Sequence, residues 1–252
     1  MSDSTPPDTR ASARAATGSA PLRTTAVLID LDGTLMDTAP DLAAAANLMR
    51  ADLGLPALPQ ARVASFVGKG AAALVHRALA DRLDGRVDDA LFARGHAAFF
   101  RHYEQTNGSA ALVFDGVPQA LDAARAAGLA LACVTNKPRQ FTLPLLQRYD
   151  LARRFDAIVA GDDVARLKPH PDIVLEACAR LGAAPAAARM IGDSENDALA
   201  AHAAGTRSVL VETGYNEGQP LAALRATPGV DAIFGSLREA VEWVIRAAGG
   251  TG

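Results

Sequence analysis

This 252-residue sequence predicts an α/β fold: a parallel sheet with helices on both faces, interrupted once by a wholly helical segment. Three observations point there. Ala26-Val27-Leu28-Ile29-Asp30-Leu31 is apolar on both faces until it breaks into carboxylates, as a buried parallel strand does. From about Ala111 onward, short apolar runs alternate with stretches of helical spacing, the pattern that right-handed crossovers between parallel strands require. Between residues 40 and 110 no convincing strand occurs.

Residues 1–23, rich in Ser, Thr, Pro, Ala and Arg and without an apolar core segment of a secretory signal, are expected to be a disordered tail; residues 248–252 are expected to be a flexible end. After the first strand, Asp37-Thr38-Ala39-Pro40-Asp41 reads as a turn. Helical spacing then runs from Leu42 to the breakers Gly54 and Pro56, from about Ala71 to Leu83, and from Val87 to Tyr103. Residues 40–110 thus form an all-helical insert, and residues 24–39 with 111–247 the sheet-bearing core.

In the core, helices are predicted at Val117–Ala127, Gln140–Tyr149 despite Pro144, Asp172–Leu181, about Asn196–Ala204 and Leu237–Arg246, several of them closed by a glycine. Strands are predicted at Leu129–Val134, Ala157–Ala160, Arg189–Ile191, Ser208–Val211 and Asp231–Phe234.

Bulk properties exclude whole classes of function. A net charge of −3 argues against nucleic-acid binding or attachment to an anionic membrane through bulk electrostatics, and no apolar run is long enough to span a bilayer. The sequence alone fixes no oligomeric state. Cys133 and Cys178 have neither disulfide-framework nor zinc-site spacing, so buried free thiols in a reducing, cytoplasmic setting are expected.

Polar residues follow the predicted strands with regularity. Asp30 and Asp32 follow the first, Thr135-Asn136-Lys137-Pro138 the second, Gly161-Asp162-Asp163 and then Lys168-Pro169 the third, and Gly192-Asp193-Ser194-Glu195-Asn196-Asp197 the fourth. The carboxyl ends of parallel strands share one edge, where open α/β sheets bind ligands. Asp30 and Asp32 together at that rim require a compensating cation or a shared proton. A divalent metal satisfies them most simply.

Asp-x-Asp-Gly-Thr, a strand-end Thr, a Lys followed by Pro, and Gly-Asp-x-x-x-Asp, in this order, resemble the four motifs of the haloacid dehalogenase superfamily of phosphotransferases over roughly residues 25 to 247. The resemblance implies a Rossmann-like core carrying a helical cap. It implies Asp30 as nucleophile, Asp32 as general acid and base, Thr135 as a phosphoryl ligand and Lys168 as the neutralising cation. It further implies Mg²⁺ held by Asp30, the main-chain carbonyl of Asp32, and Asp193. Gly33, Asn136 and Asp197 would support the phosphate or the ligands, with Asp197 orienting Lys168 or a metal-bound water. Asp162 and Asp163 stay open between a supporting role at the metal and a solvated loop.

Finer stretches look like phosphoglycolate phosphatases: Asp32 to Leu42, Phe66-Val67-Gly68-Lys69-Gly70, Thr135 to Pro138, and Gly214-Tyr215-Asn216. Modest departures are Thr38, Lys69 and Asp115. A small-molecule phosphate ester, 2-phosphoglycolate first, is the implied substrate, with Lys69 meeting its carboxylate. Other readings stay open at this point: a phosphatase for N-acetylmuramic acid 6-phosphate, a sugar phosphate or pyrophosphate, a phosphosugar mutase, and a receiver-like signalling domain.

Overall fold

The computed structural model of the chain describes residues 23–219 and 221–249. Most of the two expected tails lies outside these residues. Of their described parts, Arg23 Nε donates to the Ala248 carbonyl at 2.9 Å, and the last helix runs on to Gly249.

The chain enters through β1 (Ala26–Ile29) and a two-residue β2 (Met36–Asp37). Four helices follow: α1 (Ala39–Asp52), α2 (Gln60–Ala64), α3 (Gly70–Ala80) and α4 (Asp89–Thr106). Then come β3 (Leu112–Val113), α5 (Val117–Ala126), β4 (Ala130–Val134), α6 (Arg139–Arg148), β5 (Ala157–Val159), α7 (Asp172–Leu181) and β6 (Ala188–Gly192). The chain closes with α8 (Glu195–Ala203), β7 (Arg207–Val211), α9 (Leu221–Arg225), β8 (Val230–Phe234) and α10 (Leu237–Gly249).

The predicted parallel sheet is present, with six strands in the order β5-β4-β1-β6-β7-β8. β1 sits inside it, pairing Ile29 with Cys133 on one side and Ile191 on the other. Alternation along β1 sends Val27 and Ile29 into a core with Leu121 of α5 and Val241 and Val244 of α10, and Ala26 and Leu28 into a second core with Ile173 and Val174 of α7 and Ala200 of α8. A strand that buries both faces this way has no room for a charge until it ends. Asp30 therefore marks the edge of the sheet.

The insert has its own apolar core, built on Met49, Phe66, Val75, Phe99 and Tyr103, to which Phe141 of α6 is added from the main body. Its two crossings are tied together. Asp41, buried in the first turn of α1, accepts from the main-chain N–H of Gly108 at 2.6 Å and of Ala110 at 2.7 Å, and β2 pairs antiparallel with β3 at the same seam.

Three local expectations change. The turn expected at residues 37–41 is already helix from Ala39, because proline is tolerated in a first helical turn and Asp37 Oδ1 accepts the Ala39 N–H at 3.1 Å. The short helices α2 and α9 and the strands β2 and β3 are additions, since two to five residues give no measurable period. Asp162 and Asp163 brace α6: Asp162 accepts the Arg139 N–H at 2.8 Å, and Asp163 bonds Arg139 and Arg180. Cys133 and Cys178 are free and buried, and among the described residues no helix is long and apolar enough to cross a membrane.

Candidate active site

Asp30 leaves β1 with its N–H still in the sheet, donating to the Ile191 carbonyl at 2.9 Å, while its carboxylate turns into a cavity above the strand ends. The cavity measures about 60 Å³. Its floor is polar, with Asp30, Asp32, Thr135, Lys137, Lys168 and Asp193; its roof is apolar, with Leu42, Val67, Leu74 and Phe99 from the insert. Six side chains from four segments distant in sequence are thus brought to one edge of the sheet by strand order.

Lys168 is the electrostatic hub. Its ammonium donates to Asp30 Oδ1 at 2.6 Å, Asp197 Oδ1 at 2.7 Å and the Val134 carbonyl at 3.0 Å, so all three N–H donors are used. Burial works against its charge, yet Asp197 and Asp30 hold its pKa above the ordinary lysine value. Asn136 fixes the backbone beneath it: Oδ1 accepts the Lys168 N–H at 2.9 Å, and Nδ2 donates to the carbonyls of Lys168 at 3.0 Å and Gly68 of the insert at 2.9 Å. The amide expected near the phosphate is fully committed to these bonds. Thr135 is buried against the cavity, where Oγ1 accepts the Lys137 N–H at 3.2 Å.

Asp193 accepts from Thr34 Oγ1 at 3.2 Å and from the Tyr215 N–H at 2.9 Å. Gly33, at φ +93°, and Gly214 allow this approach, since a Cβ on either would lie within 2.7 Å and 1.8 Å of Asp193 Oδ2. Asp197 Oδ2 accepts from the N–H and hydroxyl of Ser194 at 3.1 and 2.7 Å. Both Asp197 oxygens are therefore engaged, one by Lys168 and one by the start of α8.

Carboxylate oxygens of Asp30, Asp193 and Asp197 lie within 4.8 Å of one another, all buried. Burial, then repulsion from Asp197 and Asp193, pushes Asp30 well above the usual carboxylate range despite the pull of Lys168. Burial and the Asp197 charge push Asp193 up to about 7. An all-oxygen donor set with more negative charge than Lys168 neutralises fits a small, hard divalent cation. Asp30 Oδ2 accepts no hydrogen bond among the described residues and each Asp193 oxygen accepts only one, so both carboxylates keep lone pairs to give it.

Several functional contacts escaped the sequence. Lys137 is buried and donates to Asp32 Oδ1 at 2.8 Å, beside the Thr38 hydroxyl at 2.6 Å. It sat in the Thr-Asn-Lys-Pro run, but nothing in the run says where it points. The Tyr215 hydroxyl donates to Asp37 Oδ1 at 2.6 Å and accepts the N–H groups of Thr38 and Ala39, binding the junction of β2 and α1 to the loop after β7. Lys69 lies elsewhere: its ammonium is 3.3 Å from Glu217 Oε2 and faces a neighbouring cavity, while Gly68 and Gly70 on either side line the first.

The chain is 45% identical over 228 residues to a phosphoglycolate phosphatase of Nitrosospira multiformis, covering 90% of this chain and 99% of that protein. It is 48% identical over 217 residues to the plasmid-encoded phosphoglycolate phosphatase of Cupriavidus necator, covering 84% and 90%. The crystal structure of a predicted phosphoglycolate phosphatase from Haemophilus somnus superposes with a TM-score of 0.79 at 30% identity, covering 87% of this chain and 97% of that one. Residues 27–211 match the family model described as haloacid dehalogenase-like hydrolase, and the chain belongs to that family.

Proposed function

We propose that this protein is a Mg²⁺-dependent phosphomonoester hydrolase that works through an aspartyl-phosphate on Asp30, with 2-phosphoglycolate as its substrate. The observation that carries the reading is the single small cavity in which Asp30, Asp32, Thr135, Lys168 and Asp193 meet. Asp30 attacks phosphorus, and Lys168 holds the attacking carboxylate in line while offsetting charge gathered on the phosphoryl group. Asp32, oriented by Thr38 and Lys137, gives a proton to the leaving oxygen and later takes one from the hydrolytic water. Thr135 donates its hydroxyl to a phosphoryl oxygen.

Asp30, Asp193 and the main-chain carbonyl of Asp32 would hold Mg²⁺, with Asp197 positioning Lys168. When bound, the ion supplies positive charge to the phosphoryl oxygens and relieves repulsion among the carboxylates.

Cavity size supports a small leaving group. The roof of Leu42, Val67, Leu74 and Phe99 closes down on the polar floor and leaves only about 60 Å³ between them, which favours a compact ester. In this reading residues 40–110 act as a cap over the core. The names of the relatives support phosphoglycolate as the substrate. Two free buried thiols fit a cytoplasmic setting.

The test is phosphate release from 2-phosphoglycolate, N-acetylmuramic acid 6-phosphate, hexose phosphates and pyrophosphate, each with Mg²⁺ and with EDTA. We expect a preference for 2-phosphoglycolate of about tenfold or more in kcat/KM, lost with EDTA and in Asp30→Asn. A flat profile would remove the substrate assignment. An isomerised sugar phosphate as product would replace hydrolysis with mutase chemistry.

A further inference from the structure

We propose that Lys137 and Tyr103 together form a carboxylate subsite, so that the enzyme selects phosphate monoesters of small α-hydroxy acids. This rests on the phosphatase reading above and names the groups that would read the leaving group.

Most polar groups around the cavity are already committed to one another, as Lys168 and Asn136 are. Two are not. Lys137, with its side chain only 3% exposed, spends one of its three N–H donors on Asp32, and the other side-chain oxygen beside its ammonium is the Tyr103 hydroxyl, at a geometry too poor for a regular hydrogen bond. Tyr103, 2% exposed and also lining the cavity, has a buried hydroxyl with no hydrogen-bond partner among the described residues. The Lys137 ammonium stands over the Tyr103 ring, 4.9 Å from its centroid. A buried cation with unused donors beside a buried orphan hydroxyl is a place built for an anion that arrives with the ligand.

Position identifies the anion. Asp32 serves the ester oxygen of the leaving group, and the Lys137 ammonium is 2.8 Å from Asp32 Oδ1. A carboxylate on the carbon attached to that oxygen therefore falls toward Lys137. Elsewhere the roof offers Leu42, Leu74 and Phe99, which cannot compensate a buried charge. The two subsite groups come from different parts of the chain, Tyr103 from α4 of the insert and Lys137 from the loop after β4. The subsite is complete only with the insert seated on the core.

The experiment compares 2-phosphoglycolate with ethyl phosphate, which has the same two carbons and no carboxylate. Steady-state kinetics are measured on the Mg²⁺-loaded wild-type chain, Lys137→Gln, Tyr103→Phe and Lys69→Ala. A general loss of activity, as from a displaced Asp32, lowers both esters together and leaves their ratio in place.

We expect the wild-type ratio of kcat/KM to fall about tenfold or more in Lys137→Gln and about threefold or more in Tyr103→Phe, the latter mostly through KM. Ratios equal to wild type in both variants overturn the subsite, as does a collapse confined to Lys69→Ala. Calorimetric binding of 2-phosphoglycolate to the same four proteins is read alongside. If neither ester is hydrolysed by the wild type, the phosphatase reading falls, and the subsite stands or falls on whether Lys137→Gln and Tyr103→Phe weaken that binding.

Discussion

Gly214 shows how little space separates support from obstruction at this site. A Cβ there would lie 1.8 Å from Asp193 Oδ2, and the next N–H, of Tyr215, is what that same oxygen accepts. Gly214→Ala is therefore expected to push Asp193 aside and raise the Mg²⁺ concentration needed for half-maximal activity by about 10- to 100-fold, the usual effect of losing a group that orients a metal ligand. A Mg²⁺ titration unchanged from wild type would separate Asp193 from the metal. At this scale the sequence marks residues well by type and poorly by partner. Asp30, Asp32, Thr135, Lys168 and Asp193 were legible because each follows a strand. Lys137 and Tyr103 were not, since a lysine in a loop and a tyrosine on a helix carry no sign of facing each other at 4.9 Å.

At the scale of elements, the loop after β5 is locked to α6 by charge. Asp163 accepts from Arg139 Nε at 2.8 Å, Arg180 Nη1 at 3.1 Å and the Ala160 N–H at 3.1 Å. The Arg139 hydrogen bond, against some desolvation, holds its carboxyl below the usual range, with the Ala160 N–H and the arginine charges helping. A depressed folded-state pKa means that the stabilisation is complete above the unfolded value, about 3.9, and fades as pH drops through the lower folded value. Asp163→Asn should accordingly lose about 1–2 kcal/mol at pH 6, with the gap from wild type narrowing below about pH 4. Urea unfolding at both pH values checks this, and a gap independent of pH would rule out the ion pair as its source. Helices of ten or more residues and the six parallel strands were readable from period. The two-residue strands β2 and β3 were not, because they exist only where the ends of the insert meet.

For the whole molecule, the seam between insert and core beside the cavity is a charge cluster on a strained loop. Glu217 of the core faces Arg77 at 3.0 Å and Lys69 at 3.3 Å, both from the insert. It sits at φ 49° after Asn216 at φ 39°, two successive residues in the left-handed region that only compensating contacts maintain. Glu217→Gln should loosen the seating of the insert, raising KM for 2-phosphoglycolate about three- to tenfold and speeding amide exchange across residues 66–71. If KM and exchange both stay at wild-type values, the insert is held by its apolar contacts alone.

The sequence by itself determined the family, the parallel sheet, the helical character of residues 40–110 and the residue types at each strand end. The family follows from the resemblance of the strand-end motifs, and the rest from hydrophobic period and from the rule that parallel strands end on one edge, both of which are local or topological. Tertiary structure decided the pairings: Lys168 with Asp30 and Asp197, Lys137 with Asp32, Lys69 with Glu217, and Tyr215 across the top of the sheet. A side chain's partner depends on where two distant backbones come within a few ångströms. No periodicity along one segment encodes that distance.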